Sequence, residues 1–130
     1  MLQPLIIIVI CILVEHISRI SLGDFIKLSY NSGAAFGIFN NFPEVALILS
    51  CSVCLIIFFA LAFLKLKPLL KIGLSIMLGG AISNLLERIF FGHVIDWIPF
   101  PFTFLFSDLN FNLADVEISL GALIAFLSYL

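Results

Sequence analysis

Four apolar stretches, each near the roughly 20 residues an α-helix needs to cross a bilayer, account for most of this 130-residue chain. They run over about 3–22, 43–64, 69–91 and 110–130. Hydrocarbon offers no water to backbone N–H and C=O groups, so each stretch must satisfy those groups internally as a helix. Hydrophobic residues make up 63% of the chain and its mean hydropathy is +1.29, which leaves too little polar side chain to cover a water-soluble core. The expectation is an all-α integral membrane protein. It forms one polytopic domain over 1–130, with four transmembrane helices and membrane lipids as its solvent.

The remaining composition narrows the function. Net charge is −2 with only six Lys and Arg, so a nucleic-acid partner is not expected, because phosphate neutralisation needs a basic surface. Cys11, Cys51 and Cys54 all lie in apolar runs. The C-x-x-C pair has no second pair or nearby histidine to complete a metal site, so the cysteines read as small packing residues. The first apolar run lacks both a positively charged leader and a small-x-small cleavage site, so it reads as a retained span.

The connection Lys65-Leu66-Lys67-Pro68-Leu69-Leu70-Lys71 carries three lysines and no acid. The positive-inside tendency makes this loop cytoplasmic, which puts both termini in the cytoplasm and the longer segments 21–42 and 91–109 outside. In the first outer segment, Phe25, Ile26, Leu28 and Tyr30 favour extended chain, and Gly33 and Gly37 interrupt it. A small extracytoplasmic β element is expected there. Asn40-Asn41-Phe42-Pro43-Glu44 then starts the second helix, with proline in the first turn and an acid near the positive helix end. The second outer segment, Ile98–Phe106, is Phe-rich and broken by Pro99 and Pro101, so it lies in the interface together with Trp97. It serves equally well as a lid over the site or as a passive loop.

Against this background the ionisable residues stand out. One at the centre of a bilayer helix costs roughly 2.5–3.5 kcal/mol on insertion scales. The polar set comprises Glu15, His16 and Arg19, then Asn31, then Asn84, Glu87 and Arg88, then Asp96, then Asn112, Asp115 and Glu117. The topology puts all of them toward the outer ends of the spans, in one polar layer. Glu15 and Arg19 are four apart and share a helix face as a structural pair, as do Asn84 and Arg88. Glu117 points away from Asp115, toward a loop or a neighbouring helix. Gly73, Gly79, Gly80, Ala81 and Ser83 allow close helix–helix approach.

Two carboxyls brought together cannot both ionise easily, so one pKa rises and the pair shares a proton. Asp96 and Asp115 are the candidates, and such a pair would activate water as an aspartic protease does. An ion or proton pathway and a non-catalytic helix bundle also fit these residues. The apolar inner half of the bundle disfavours a continuous path.

Longer motifs narrow the field. Asn31-Ser32-Gly33-Ala34-Ala35-Phe36-Gly37 is similar to N-x-G-A-A-F-G. Gly79-Gly80-Ala81-Ile82-Ser83-Asn84-Leu85-Leu86-Glu87-Arg88 is similar to G-G-A-x-G-N-x-x-D-R. Gly92-x-Val94-x-Asp96-Trp97 is similar to G-x-V-x-D-F, and Phe111-Asn112-x-Ala114-Asp115-x-x-Ile118 to F-N-x-A-D-x-x-I. In order and spacing, over essentially the whole chain, these resemble the lipoprotein signal peptidases, the bacterial signal peptidase II family.

The resemblance implies an aspartic endopeptidase of the bacterial cytoplasmic (inner) membrane, with its site toward the outer face. Such enzymes cut signal peptides from prolipoproteins just before a diacylglyceryl-modified cysteine. It implies Asp96 and Asp115 as the catalytic pair, and Asn31, Gly33, Asn84, Arg88 and Asn112 as residues that line the site and hold substrate. No metal or organic cofactor is implied, and a monomer is expected. The departures are Glu15-His16-Ile17-Ser18-Arg19 where the family has D-Q-x-x-K, Ser83 for glycine, Glu87 for aspartate and Trp97 for phenylalanine. They mark a divergent member. They also frame the alternative, a catalytically altered or inactive paralogue that binds lipidated peptides.

Overall fold

The fold is that of a computed structural model describing residues 2–23, 25–33, 38–99 and 110–130. Four helices carry it: α1 (Leu2–Leu22), α2 (Pro43–Phe63), α3 (Pro68–Phe91) and α4 (Leu113–Leu127). Short strands lie between them: β1 (Ser29–Asn31), β2 (Val94–Asp96), β3 (Ile98–Pro99) and β4 (Asn110–Phe111).

Among the described residues, α1, α2 and α3 are long and apolar enough to span a bilayer. The fourth helix is shorter than the fourth apolar stretch. Asn110 and Phe111 are spent on β4, leaving 15 helical residues. At 1.5 Å per residue these rise about 22 Å, against a hydrocarbon core of about 30 Å.

The central helix is α3, which packs against α1, α2 and α4. Its buried residues include Leu78, Gly79, Gly80, Ala81, Ser83, Asn84 and Glu87. Cys54, Ile57 and Leu61 of α2 join Leu78 and Ala81 in the apolar core. By contrast, α1 buries only Pro4, Cys11 and Glu15, rests Ile8 against the core, and leaves most of its other aliphatic residues exposed, as a lipid-facing helix does. All three cysteines are free thiols.

Close approach of α3 to α4 depends on missing side chains. A Cβ on Gly73 would stand 2.8 Å from the Gly121 carbonyl oxygen, and one on Gly121 would stand 2.6 Å from that of Gly73. Backbones this close gain dispersion contacts where no hydrophobic drive separates protein from lipid. At the lysine-rich end, Lys67 Nζ donates to the Ser128 carbonyl at 3.1 Å, satisfying an orphan acceptor at the end of α4 and tying it to the α2–α3 connection.

At the opposite end the strands form two small antiparallel pairs. β1 pairs with β2 in the register Ser29↔Asp96, Tyr30↔Ile95 and Asn31↔Val94. β3 pairs with β4, Ile98 opposite Phe111 and Pro99 opposite Asn110. The expected β element is thus built from both outer segments. Residues 34–37 of the N-x-G-A-A-F-G motif, and 100–109 of the Phe-rich loop, lie outside the described residues.

Candidate active site

Local structure fixes each aspartate in its own way. α3 ends at Gly92, which takes φ +77° as the left-handed C-cap, a conformation that needs no side chain. The chain reverses there and enters β2, ending on Asp96. The second aspartate is set by a capping box. Asn112 is the N-cap of α4, its side-chain oxygen accepts from Asp115 N at 2.9 Å, and Asp115 Oδ2 accepts from Asn112 N at 3.2 Å. Asp115 is therefore the third residue of α4, at the positive end of the helix.

The sequence-identified residues converge on a ring of hydrogen bonds. The Asn112 Nδ2 group donates to Asp96 Oδ1 at 3.1 Å and to Asn84 Oδ1 at 2.9 Å. Asn84 Nδ2 in turn donates to Asp115 Oδ1 at 3.0 Å. Two asparagines, from α3 and the start of α4, thus link two aspartates that lie 19 positions apart in the sequence. Asn112 is 1% exposed and Asp96 4%, whereas Asp115 is half-buried. Burial raises the Asp96 carboxyl to about 7, with the neighbouring Asp115 charge acting in the same direction and a hydrogen bond to the Asn31 side chain opposing it.

Gly33 and Arg88 form the adjoining wall. Gly33 N donates to Asn31 Oδ1 at 3.0 Å and to Asn40 Oδ1 at 2.7 Å. Arg88 Nη2 donates to the Gly33 carbonyl at 2.7 Å, and Arg88 Nη1 to the Asn84 carbonyl at 3.2 Å. A Cβ on Gly33 would collide with the Ile38 carbonyl and with Asn40, so the turn has room only for glycine.

The expected Glu15–Arg19 pair is replaced by longer-range contacts. Arg19 Nε pairs instead with Glu87 Oε1 at 3.0 Å. Glu15 is taken up by two other donors: its Oε1 accepts from Trp97 Nε1 at 3.2 Å and its Oε2 from Ala114 N at 3.1 Å. A buried carboxylate takes the donors that packing brings to it, and Trp97 and Ala114 supply one for each oxygen. Trp97 is buried within the protein. It is 6% exposed, because its N–H has a buried acceptor.

Glu87 had no site role on sequence grounds. Its Oε2 accepts from Ile95 N at 2.8 Å, directly before Asp96. The signal was present in the sequence as an acid inside an apolar helix, which must find partners. Glu117 faces Cys11 of the neighbouring α1, as its offset from Asp115 implied. Ser83, at the family's glycine position, is buried with no hydrogen-bond partner for its hydroxyl among the described residues.

The family model described as signal peptidase (SPase) II matches residues 5–130. The chain belongs to the signal peptidase II family. A lipoprotein signal peptidase of Clostridium tetani is 36% identical, with 94% of this chain and 88% of the relative covered. That of Moorella thermoacetica is 40% identical over 79% of this chain and 67% of the relative. The fold agrees with two bacterial membrane enzymes solved by the in meso method. One, at 2.3 Å resolution, superposes with TM-score 0.82 at 18% identity over 98% of this chain and 87% of that one. The other, at 1.9 Å, gives TM-score 0.79 at 19% identity over 98% and 92%. Signal peptidase II is a peptidase family, and this member is a multi-pass membrane protein by its apolar helices.

Proposed function

We propose that this chain is an aspartic endopeptidase that removes signal peptides from prolipoproteins, cutting before the diacylglyceryl-modified cysteine. The observation that carries this reading is the single side chain of Asn112 bonded at once to Asp96 and to the capping box of Asp115. That arrangement, with Asp96 raised to about 7, suits two carboxyls that share one proton.

In the proposed cycle the ionised carboxyl takes a proton from a water whose oxygen attacks the scissile carbonyl carbon. The protonated carboxyl donates to the carbonyl oxygen as negative charge develops there. On collapse one hydroxyl of the tetrahedral intermediate returns its proton to the ionised carboxyl and re-forms the carbonyl, the C–N bond breaks, and the proton taken from water goes to the leaving nitrogen, so the pair returns to its singly protonated state. Asn84 and Asn112 hold the carboxyls. Asn31, Gly33 and Arg88 form the wall against which the substrate backbone lies.

The whole chain acts as one domain in the bacterial cytoplasmic membrane, as a monomer surrounded by lipid. Both termini are cytoplasmic and the site faces outward. The Lys67–Ser128 contact supports this topology, because it sets the C-terminal end of α4 beside the lysine-rich connection.

The test is cleavage of a diacylglyceryl-modified prolipoprotein by the purified protein in liposomes. A shortened, still lipidated product beginning at the modified cysteine is expected. Binding without cleavage at stoichiometric protein would instead establish the inactive-paralogue alternative.

A further inference from the structure

Glu15 stands at an unusual position. Through one buried carboxylate it touches the residue that follows Asp96 and the residue that precedes Asp115: Trp97 Nε1 at 3.2 Å on one oxygen and Ala114 N at 3.1 Å on the other. It is 1% exposed, Trp97 6% and Ala114 0%. No water competes for these donors, and each oxygen has its own. The two aspartate-bearing segments come from different parts of the chain, β2 and the first turn of α4. Glu15 belongs to a third element, α1, and joins them from below.

The side-chain contact needs both partners as they stand, an indole that donates and an acid one methylene longer than aspartate that reaches it. A phenyl ring offers no donor, and the shorter acid has less reach. An indole beside the shorter acid would leave a buried N–H without an acceptor, and a phenyl ring beside glutamate would leave a buried carboxylate oxygen without a donor. Each orphan is costly in a dry site. The double change still leaves a carboxylate oxygen without a donor, so it restores nothing that either single change loses.

We propose that Glu15 is a positioning residue for the carboxyl pair, acting through the Trp97 indole and the Ala114 N–H, and that Glu15 and Trp97 act as one unit. This rests on the peptidase reading above. It goes beyond that reading by assigning to α1 a part in the reaction through residues buried behind the carboxyl pair.

The experiment is a double-mutant cycle over Glu15→Asp, Trp97→Phe and the double variant, with kcat and KM measured per folded enzyme in liposomes. Each single change is expected to lower kcat by about tenfold to a hundredfold, the scale of a sub-ångström to 1 Å misplacement of reacting groups, with KM nearly unchanged. The pH–rate limbs should move with each single change, and the double variant should lie within about threefold of the more impaired single one, because both changes break the same bond. Losses that multiply in the double variant, or singles that leave kcat unchanged, overturn the proposal.

Trp97 is the single tryptophan of the chain, so its indole N–H resonance is unique in a tryptophan-labelled sample. Glu15→Gln, which replaces one acceptor by a donor, should shift that resonance whether or not the protein cleaves anything. An unmoved resonance overturns the clamp. A parent with no turnover but a resonance that shifts overturns the peptidase reading and the clamp's part in it, while leaving the Glu15–Trp97 bond intact.

Discussion

The Asn112 side-chain amide lies 3.1 Å from Asp96 Oδ1, while the oxygen of the same amide caps α4 by accepting from Asp115 N at 2.9 Å. A residue that starts a helix is thereby also the link between two carboxyls. The cap fixes the Asn112 rotamer, and the rotamer aims the N–H at Asp96. Helix initiation and site geometry are therefore one event, and changing Asn112 should separate them.

Asn112→Ser keeps an N-cap oxygen and loses the Nδ2 donor, whereas Asn112→Ala loses both. Both variants orphan the Asp96 and Asn84 oxygens and lose stability on that account, and the alanine variant should fall by about 1 kcal/mol further because it also loses the cap. Both should lose most of the turnover. Equal stability losses in the two, read from Tm in detergent, would show that the cap is not the element holding Asn112.

Asp96→Asn and Asp115→Asn should each reduce prolipoprotein cleavage by about 10²–10⁴-fold, the range of a lost acid–base group. Binding of the lipidated peptide should survive in both, because neither carboxyl is the main anchor of an acyl-bearing ligand. Wild-type turnover in either variant would remove that residue from the mechanism.

Asp96 also predicts a stability profile. Its carboxyl is raised from the ordinary 3.8 to about 7 by burial and by the adjacent Asp115 charge. Between those values the folded protein holds a proton that the unfolded chain has released, so stability falls as pH rises through that window. Above about pH 7 the full cost of burying the charge is present; below about pH 4 it is absent. Asp96→Asn removes the cost and should raise Tm at pH 8 while leaving it little changed at pH 4. A variant no more stable than the parent at pH 8 would contradict this.

Gly80 sets the depth of α4 against α3 beside the site. A Cβ there would stand 2.5 Å from the Ala114 carbonyl and 3.0 Å from Glu117 Cβ. Gly80→Ala must push the first turn of α4 away from Asn84, lengthening the Asn84–Asp115 contact of 3.0 Å. We expect a loss of about 1–3 kcal/mol, as for overpacking elsewhere, and a disproportionate loss of turnover. Unfolding and cleavage measured on the same preparation check both.

The residues that make the ring were all visible in the sequence. Asn84, Asp96, Asn112 and Asp115 are polar groups in an apolar chain, and their motifs resemble those of the family to which the chain belongs. Their connections were not visible. Asn112 fell inside the fourth apolar stretch and is instead the N-cap of α4, because β4 takes Asn110 and Phe111 out of the helix. Arg19 looked like the partner of Glu15 and reaches Glu87 instead. Trp97 looked interfacial and is buried against Glu15.

Those differences share one physical cause. Periodicity and hydropathy report which surface of a segment meets lipid and how long the segment is. Apolar runs of about 20 residues and a three-lysine connection are enough to specify a helical membrane protein with its polar groups gathered at one end. Which polar groups bond to one another was decided only by the tertiary structure. A buried carboxylate takes the donors that packing brings within about 3 Å, and those come from other elements. Glu15 on α1, Glu87 on α3 and the Asn112 cap of α4 therefore hold segments that are distant in sequence, and set where Asp96 and Asp115 stand.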